Sequence, residues 1–207
     1  MSMSVNKTEK IGIYGGSFDP PHFGHVIAVK EARRSLGLDR VLVIPAAIPP
    51  HKRISGRATA EQRFEMTRLA FENVKFAEVR DDELRREGPS YTADTVAELR
   101  EEFPDARFYL LTGADMFMTI QNWWNVEEIF ASCTVVALSR EAGQTDELRE
   151  HAVWLGHRYA VSTEVVENPV VEISSTELRG LIAEGQQSKF LPEKVAQYIA
   201  REGLYLD

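Results

Sequence analysis

Short apolar runs rich in β-branched residues alternate with amphipathic stretches along most of this chain. Such alternation is typical of β–α–β units, in which helices connect the strands of a parallel sheet. The apolar runs predict six strands, over residues 11–15, 40–46, 75–80, 107–113, 133–139 and 169–174. The pattern therefore predicts an α/β protein with a parallel sheet.

The amphipathic stretches place helices between these strands. The first helix has apolar residues every three or four positions, at Val26, Val29, Ala32 and Leu36. Gly37 follows as its C-terminal stop. The same reasoning predicts helices over about 60–73, 92–103, 123–131 and 145–155. After residue 174 the strands end and two helices remain, the second with Pro192 at its start.

The length and composition fit one globular domain with a small appendage. The chain has 207 residues, of which 43% are hydrophobic and 27% are charged. We expect a loosely held tail, a main domain and a C-terminal helical subdomain, over residues 1–10, 11–173 and 174–207.

The charge balance argues against a general nucleic-acid binder. Twenty-four Lys and Arg stand against 32 Asp and Glu, a net charge of −8, whereas such a binder has a basic surplus. No apolar run approaches membrane-spanning length, and residues 1–10 are too polar for a secretory signal. The one cysteine, Cys133, lies in an apolar run, which favours a buried thiol in a reducing compartment. We therefore expect a cytoplasmic protein with no nucleic-acid or membrane partner.

A glycine- and histidine-containing segment, GGSFDPPHFGH, connects the first strand to the first helix over residues 15–25. In a parallel sheet, ligands bind beyond the carboxyl ends of strands, where a helix start offers N–H groups to an anion. Gly15 and Gly16 allow close approach of a phosphate, and His22 and His25 are spaced to face one point. The segment predicts a phosphate site. A metal pair, a dinucleotide fingerprint and a simple turn are the alternatives, although the glycines do not spell G-x-G-x-x-G.

Four segments of the chain resemble the signatures of one enzyme family. They are Gly16-x-Phe18-x-Pro20-x-His22-x-x-His25, EGPSYTADT (87–95), GADMFMTIQNW (113–123) and ISSTELR (173–179). Their order and spacing are similar to those of the nucleotidyltransferase family that contains nicotinate-nucleotide adenylyltransferase, over residues 11–206. The resemblance implies a Rossmann-like, doubly wound parallel sheet, with the C-terminal subdomain completing an ATP site.

The resemblance also implies two sets of binding residues. The set for ATP is Gly15, Gly16, Ser17, Phe18, His22, His25, Gly113, Asp115, Ser174, Ser175, Thr176 and Arg179. The set for nicotinate mononucleotide is Gly16, Ser17, His51, Lys52, Tyr91, Thr92, Thr119 and Trp123. His22, His25 and Arg179 are the expected catalytic residues, with His25 the more important.

Some of these residues also have a plainer structural interpretation. Ser174 and Glu177 have the spacing of a capping box, which is compatible with phosphate binding at the same helix start. Asp115 is either a ribose ligand or a helix N-cap. The basic cluster 51–53 is either a substrate-phosphate contact or solvated surface.

Residues of the set for nicotinate mononucleotide also have alternative interpretations. Ser90 or Thr92 can cap a helix that begins after Pro89. Trp123 and Trp124 are adjacent and point differently, so we expect one in the core and the other at a groove. The resemblance matches Trp123 to the residue that stacks on the pyridine ring.

The resemblance implies transfer of AMP from ATP to nicotinate mononucleotide by direct in-line attack, giving nicotinate adenine dinucleotide and pyrophosphate in NAD biosynthesis. Mg²⁺ is expected to arrive with ATP, without metal ligands from protein side chains. These two small molecules are then the partners of a monomer or homo-oligomer. The alternatives are nicotinamide mononucleotide or phosphopantetheine as acceptor, a non-catalytic nucleotide sensor, and a tRNA-charging enzyme, since HFGH resembles a H-I-G-H motif.

Overall fold

A computed structural model of the chain describes residues 8–50, 58–139, 143–169, 173–186 and 189–206. Its centre is one sheet of six strands, β1 (Lys10–Gly16), β2 (Arg40–Pro45), β3 (Ala77–Val79), β4 (Arg107–Gly113), β5 (Cys133–Ser139) and β6 (Thr163–Glu167). All neighbouring strands pair in parallel, in the order β3-β2-β1-β4-β5-β6. This is the doubly wound order, and the expected fold class is confirmed.

Nine helices within the described ranges connect or follow these strands. They are α1 (Phe23–Leu36), α2 (Ala60–Phe71), α3 (Asp82–Arg85), α4 (Thr92–Glu102), α5 (Ala114–Phe117), α6 (Val126–Ser132), α7 (Thr145–Tyr159), α8 (Ser175–Ala183) and α9 (Glu193–Glu202). Gly37 ends α1 in the left-handed conformation, as its position predicts. No helix in these ranges is both long and apolar enough to cross a membrane.

The apolar core consists of two clusters, one on each face of the sheet. Ile11 and Ile13 of β1 belong to one cluster and Tyr14 to the other, because successive side chains of a strand point to opposite faces. Both faces are covered, which explains why the central strands read as continuous apolar runs. Helices α8 and α9 contribute Leu178 and Val195 to the cluster that contains Tyr14. The division into a main domain and a C-terminal subdomain stays a prediction.

The sixth strand is not where the sequence pattern placed it. Strand β6 covers Thr163–Glu167, and the described part of 169–174 is not in a strand, while 170–172 lie outside the described residues. The prediction was wrong because β6 is an edge strand, in which Val166 is the one buried residue. An edge strand needs fewer apolar residues than a central one, so its pattern is weak.

Several element boundaries also differ from the prediction, and two of them have a clear structural reason. Helix α6 begins at Val126, since Trp123 is extended and Asn125 has a left-handed backbone with φ of 49°. Strand β1 begins at Lys10, inside the expected tail, where the Lys10 N–H donates to Asp39. The tail over residues 1–7 lies outside the described residues.

Candidate active site

A cavity opens at the carboxyl ends of the central strands. It has a volume of about 160 Å³ and is lined at the end of β1 by Gly15, Gly16 and Ser17, after β2 by Ala46 and Pro49, and at the end of β4 by Gly113. In the strand order, β1 and β4 are the neighbours at which the direction of winding reverses. The loops after these two strands turn to opposite faces there, and the gap between them forms a ligand crevice.

The two histidines of the first segment cap helix α1 together. The Gly24 N–H donates to Nδ1 of His22 at 3.1 Å, and the His22 N–H donates to Nδ1 of His25 at 3.1 Å. Because each Nδ1 accepts a hydrogen bond, the neutral rings carry their proton on Nε2. The ring centroids are 3.9 Å apart, so the spacing brings both imidazoles together as the sequence predicts.

The N–H groups at the start of α1 are engaged within the protein. The N–H of Phe23 donates to the Phe190 carbonyl at 2.9 Å, and the N–H of His25 donates to the His22 carbonyl at 3.0 Å. The N–H of Gly24 caps onto His22. The expectation that this helix start points unpaired N–H groups at an anion is therefore wrong.

Gly15 and Gly16 differ in how much space the structure leaves for a side chain. A Cβ on Gly16 would lie 3.1 Å from the ring of Phe18, whereas a Cβ on Gly15 would meet no atom closer than 3.9 Å. Phe18 itself is buried, has a φ of 49°, and packs edge-on against His25 with centroids 5.1 Å apart. Close packing against Phe18 therefore favours glycine at position 16, whereas position 15 has room for a side chain.

Helix α8 docks onto the same loop from the C-terminal part of the chain. The Ser175 hydroxyl donates to the Pro20 carbonyl at 3.0 Å, and Arg179 Nη1 donates to the Asp19 carbonyl at 2.7 Å. Arg179 Nη2 also donates to the Thr176 hydroxyl at 3.2 Å. The fold therefore brings the ISSTELR segment and the histidine segment together, although they are about 150 residues apart in sequence.

The capping box at the start of α8 is confirmed. The Glu177 N–H donates to the Ser174 hydroxyl, and the Ser174 N–H donates to the Glu177 carboxylate at 2.8 Å. The Ser174 hydroxyl also donates to the Glu177 carboxylate at 2.7 Å, and this bond and the one from the Ser174 N–H lower the pKa of Glu177. Glu177 thus folds back to its own helix start.

The start of helix α4 lines the cavity together with both tryptophans. Tyr91 is the N-cap, and its side chain makes no capping hydrogen bond. Neither Ser90 nor Thr92 caps the helix, so that alternative is not what the structure shows. Trp124 is 51% exposed and stacks on Tyr91 with centroids 4.8 Å apart, while Trp123 packs against an apolar core cluster. The expectation of one tryptophan in the core and one at a groove is met only in part, because both side chains line the cavity.

Several predicted site residues lie elsewhere or cannot be placed. Thr119 is exposed and outside the cavity lining, and its N–H donates to the Met116 carbonyl at 3.3 Å. Asp115 is exposed in the first turn of α5, whose N-cap is Gly113, so Asp115 is not the N-cap. His51 and Lys52 lie outside the described residues.

A polar group that the sequence analysis missed lies at the cavity wall. Glu83 of α3 lines the cavity and accepts a hydrogen bond from Thr95 at 2.8 Å. Burial raises the pKa of Glu83 to about 7, although hydrogen bonds from Thr95 and Ser90 and the charge of Arg86 oppose that shift. Glu83 stands in the charged run DDELRRE, which reads as solvated surface, so no sequence signal singled it out.

The histidine loop is also held by a tyrosine near the C-terminus. The Tyr205 hydroxyl donates to Asp19 Oδ1 at 2.5 Å, and both residues are buried. Burial raises the pKa of Tyr205, and the hydrogen bond to Asp19 adds to this shift.

Among the residues that the structure describes, no three His, Cys, Asp or Glu side chains group as a metal site.

Comparison with known proteins places this arrangement in a family. Residues 13–181 match the model of the cytidylyltransferase-like proteins. The chain belongs to the cytidylyltransferase-like family. Within the family, it is 39% identical over 198 residues to a probable nicotinate-nucleotide adenylyltransferase of Listeria monocytogenes, covering 95% of this chain and 97% of the relative. It is 37% identical to a protein of the same name from Moorella thermoacetica, covering 97% and 94%.

A solved structure of similar fold has a ligand in place. It is the Plasmodium falciparum nicotinic acid mononucleotide adenylyltransferase complexed with NaAD. Its TM-score to this chain is 0.76 at 19% sequence identity, over 95% of this chain and 97% of that one. This likeness supports the shared fold of the family.

Proposed function

We propose that this chain transfers the adenylyl group of ATP to nicotinate mononucleotide, giving nicotinate adenine dinucleotide and pyrophosphate for NAD synthesis. The main support is the identity of 37% to 40% with proteins named for this reaction, over nearly the whole of each chain. The geometry agrees, because segments from four parts of the sequence meet at one switch point of the sheet.

The reaction is a direct in-line displacement. A phosphate oxygen of the mononucleotide forms a bond to the α-phosphorus of ATP, and the bond from that phosphorus to the α–β bridging oxygen breaks. Pyrophosphate leaves with the electron pair, and no bond to the protein is made. The chain contributes positioning and charge stabilisation, which are the main sources of acceleration in such transfers.

His22, His25 and Arg179 are the proposed catalytic residues. The two imidazoles use Nδ1 within the capping arrangement, so their Nε2–H groups are the donors for phosphoryl oxygens. Arg179 is tied to the Asp19 carbonyl, which holds a positive charge beside the same loop. Ser174, Ser175 and Thr176 begin helix α8, whose first N–H groups favour an anion such as the phosphates of ATP.

The acceptor is proposed to bind in the cavity. Helix α4 begins there without a side-chain cap, so its first N–H groups suit the pyridine carboxylate better than an uncharged amide. Trp123 is the proposed stacking partner of the pyridine ring, with Gly16, Ser17, Tyr91 and Thr92 around it. Asp115 and Thr119 remain proposals, for the ribose of ATP and for the pyridine carboxylate, and neither residue lines the cavity.

Mg²⁺ is proposed to enter as the complex with ATP. It keeps water and substrate oxygens as ligands and neutralises phosphate charge when bound. The absence of protein ligands for it, the oligomeric state and the cytoplasmic location stay predictions.

Pyrophosphate release with ATP and Mg²⁺ tests the proposal. Nicotinate mononucleotide, nicotinamide mononucleotide and phosphopantetheine are compared in parallel at equal concentration. We expect rapid turnover with the acid. Equal rates with the amide would overturn the proposed carboxylate pocket. No pyrophosphate release with any of the three acceptors would overturn the activity and favour a nucleotide sensor.

A further inference from the structure

Helix α2 carries an arginine on its buried side. Arg63 is 1% exposed and shares this side with Met66, Thr67 and Ala70. Burial lowers the pKa of Arg63, and the attraction of Asp19 opposes the shift. Since a guanidinium keeps its proton even so, the helix holds a positive charge inside the protein. Such a charge is costly unless its N–H groups are hydrogen-bonded.

The partners of Arg63 belong to the two loops that flank the cavity. Nη1 donates to the Ser17 carbonyl at 2.8 Å, in the loop after β1, and to the Ala46 carbonyl at 2.5 Å, in the loop after β2. Nη2 donates to the Ala47 carbonyl at 2.9 Å. The Ala46 N–H also donates to the Gly16 carbonyl. One planar fork thus joins both loops, and Ser17 and Ala46 line the cavity.

Ser90 holds the opposite side of the same two peptides. The N–H groups of Ala47 and Ile48 donate to the Ser90 hydroxyl at 3.0 and 3.2 Å. In a trans peptide, C=O and N–H point in opposite directions. The carbonyls of Ala46 and Ala47 therefore face Arg63, while the N–H groups of the same two peptides face Ser90. The Ser90 N–H donates in turn to the Ile48 carbonyl at 2.9 Å.

We infer that Arg63 is a positioning residue of the active site, which together with Ser90 fixes the loop after β2 against the loop after β1. The loop after β1 carries His22 and His25, and Ser90 directly precedes Tyr91, the N-cap of α4. We call the hydrogen bonds of Arg63 and Ser90 to these loops the clamp. The clamp sets the distance between the proposed phosphate-binding and pyridine-binding parts of the site. An error of about 1 Å in such a distance can cost on the order of 100-fold in rate.

The kinetic test rests on the proposed function and compares three proteins. Arg63→Lys keeps the charge but replaces the planar fork by one ammonium, which has no fixed geometry for three carbonyls. Phe71→Leu is the matched control, because Phe71 is buried on the same helix and its hydrocarbon side chain can make no hydrogen bond to either loop. Unfolding curves establish the stability of each protein, and kinetics are measured well below the lowest transition.

We expect Arg63→Lys to lose about 10- to 100-fold in kcat, with smaller changes in the two KM values. Phe71→Leu, with a comparable loss of stability, should keep kcat within about 2-fold, since its effect does not reach the loops. A kcat for Arg63→Lys that matches the Phe71→Leu value would show a merely structural role and would overturn the inference.

Hydrogen exchange gives a readout that does not depend on turnover. The N–H groups of Ala47 and Ile48 should exchange faster in Arg63→Lys, while those within α2 keep the protection seen in Phe71→Leu. Unchanged exchange at these two amides would contradict the clamp, whatever the enzyme activity. If wild type is inactive with every acceptor, the proposed function fails, and this measurement still decides the clamp.

Ser90→Ala covers the case in which Arg63→Lys does not fold. It removes one hydroxyl from the other side of the clamp and leaves Arg63 in place. We expect faster exchange at Ala47 and Ile48 and a kcat lowered by about 10-fold. Wild-type values of both quantities would overturn the inference.

Discussion

At the scale of single residues, the two nitrogens of each histidine ring have separate tasks. Nδ1 of His22 and His25 stabilises the start of α1, and Nε2 is the proposed donor to a phosphoryl oxygen. A substitution that removes a whole ring therefore mixes a structural loss with a chemical one.

The two tasks of His25 can be separated by a pair of variants. His25→Ala removes both nitrogens, whereas the side-chain oxygen of His25→Asn can still accept the His22 N–H. We expect both to lose about 100- to 1,000-fold in kcat, because one electrostatic contact to the transferring phosphate is gone. Only His25→Ala should also lose about 1 kcal/mol of unfolding free energy. Full turnover in either variant would contradict the catalytic assignment.

The adjacent tryptophans make a second residue-level comparison. Trp123→Ala should raise KM for nicotinate mononucleotide by about 10-fold and leave KM for ATP unchanged, since a stacking partner of the pyridine is lost. Trp124→Ala should have the smaller effect, because its ring already stacks on Tyr91. The reverse order of the two KM values would assign the stacking to Trp124.

Glu83 predicts a pH dependence of stability. Its unfolded carboxyl ionises near the ordinary value of 4.5, whereas the folded one keeps its proton up to about pH 7 because it is buried. The folded state binds more protons between these values, so stability falls as pH rises from about 4.5 to 7. Glu83→Gln should remove this loss, which is at most about 3 kcal/mol. Urea unfolding of both proteins at pH 5 and pH 8 measures it, and an equal difference at both pH values would refute it.

At the scale of elements, the residues at the start of α8 hold the helix in place by hydrogen bonds and are also the proposed ligands of the ATP phosphates. Ser174 caps the helix with Glu177, and Ser175 and Arg179 tie its first turns to the histidine loop. The capping pattern was readable from sequence because it is local. Its docking onto Asp19 and Pro20 was suggested only by the family resemblance.

Removing the Ser174 hydroxyl removes the cap of α8 and, with it, the hydrogen bond from that hydroxyl to the Glu177 carboxylate. Ser174→Ala should lower the unfolding free energy by about 1 kcal/mol and raise KM for ATP, because the helix start loosens. Ser174→Asn is the control, since asparagine caps as well as serine and should restore stability. Thermal unfolding and ATP titration follow both effects. Equal stability of the two variants would show that the cap does not contribute.

At the scale of the whole molecule, the packing of the sheet buries the one thiol of the chain. Cys133 begins β5, between β4 and β6, and burial raises the pKa of its thiol to about 12. Alkylation by iodoacetamide at pH 8 should therefore need opening of the sheet. We expect native labelling at least about 1,000-fold slower than labelling in concentrated urea, followed by mass spectrometry. Fast labelling of the native protein would contradict this placement.

The sequence by itself determined the class of fold and most of its elements. Apolar runs and helix stops are local signals, so strands β1 to β5 and the main helices were predictable, and the weak edge strand β6 was not. The four motifs also predicted which segments meet, because their resemblance to a family carries information about a shared structure.

Only the tertiary structure decided how the site is supported. Arg63, Glu83 and Tyr205 stand in stretches that read as ordinary helix, surface and tail, and their hydrogen-bond partners include residues 46, 12 and 186 positions away. One signal was present in the sequence, since Arg63 shares the helical period of Met66 and Ala70. Burial and hydrogen-bond partners depend on which elements pack together, and no local pattern encodes that. For the same physical reason, the engaged N–H groups of α1 and the exposed position of Thr119 became visible only in the folded chain.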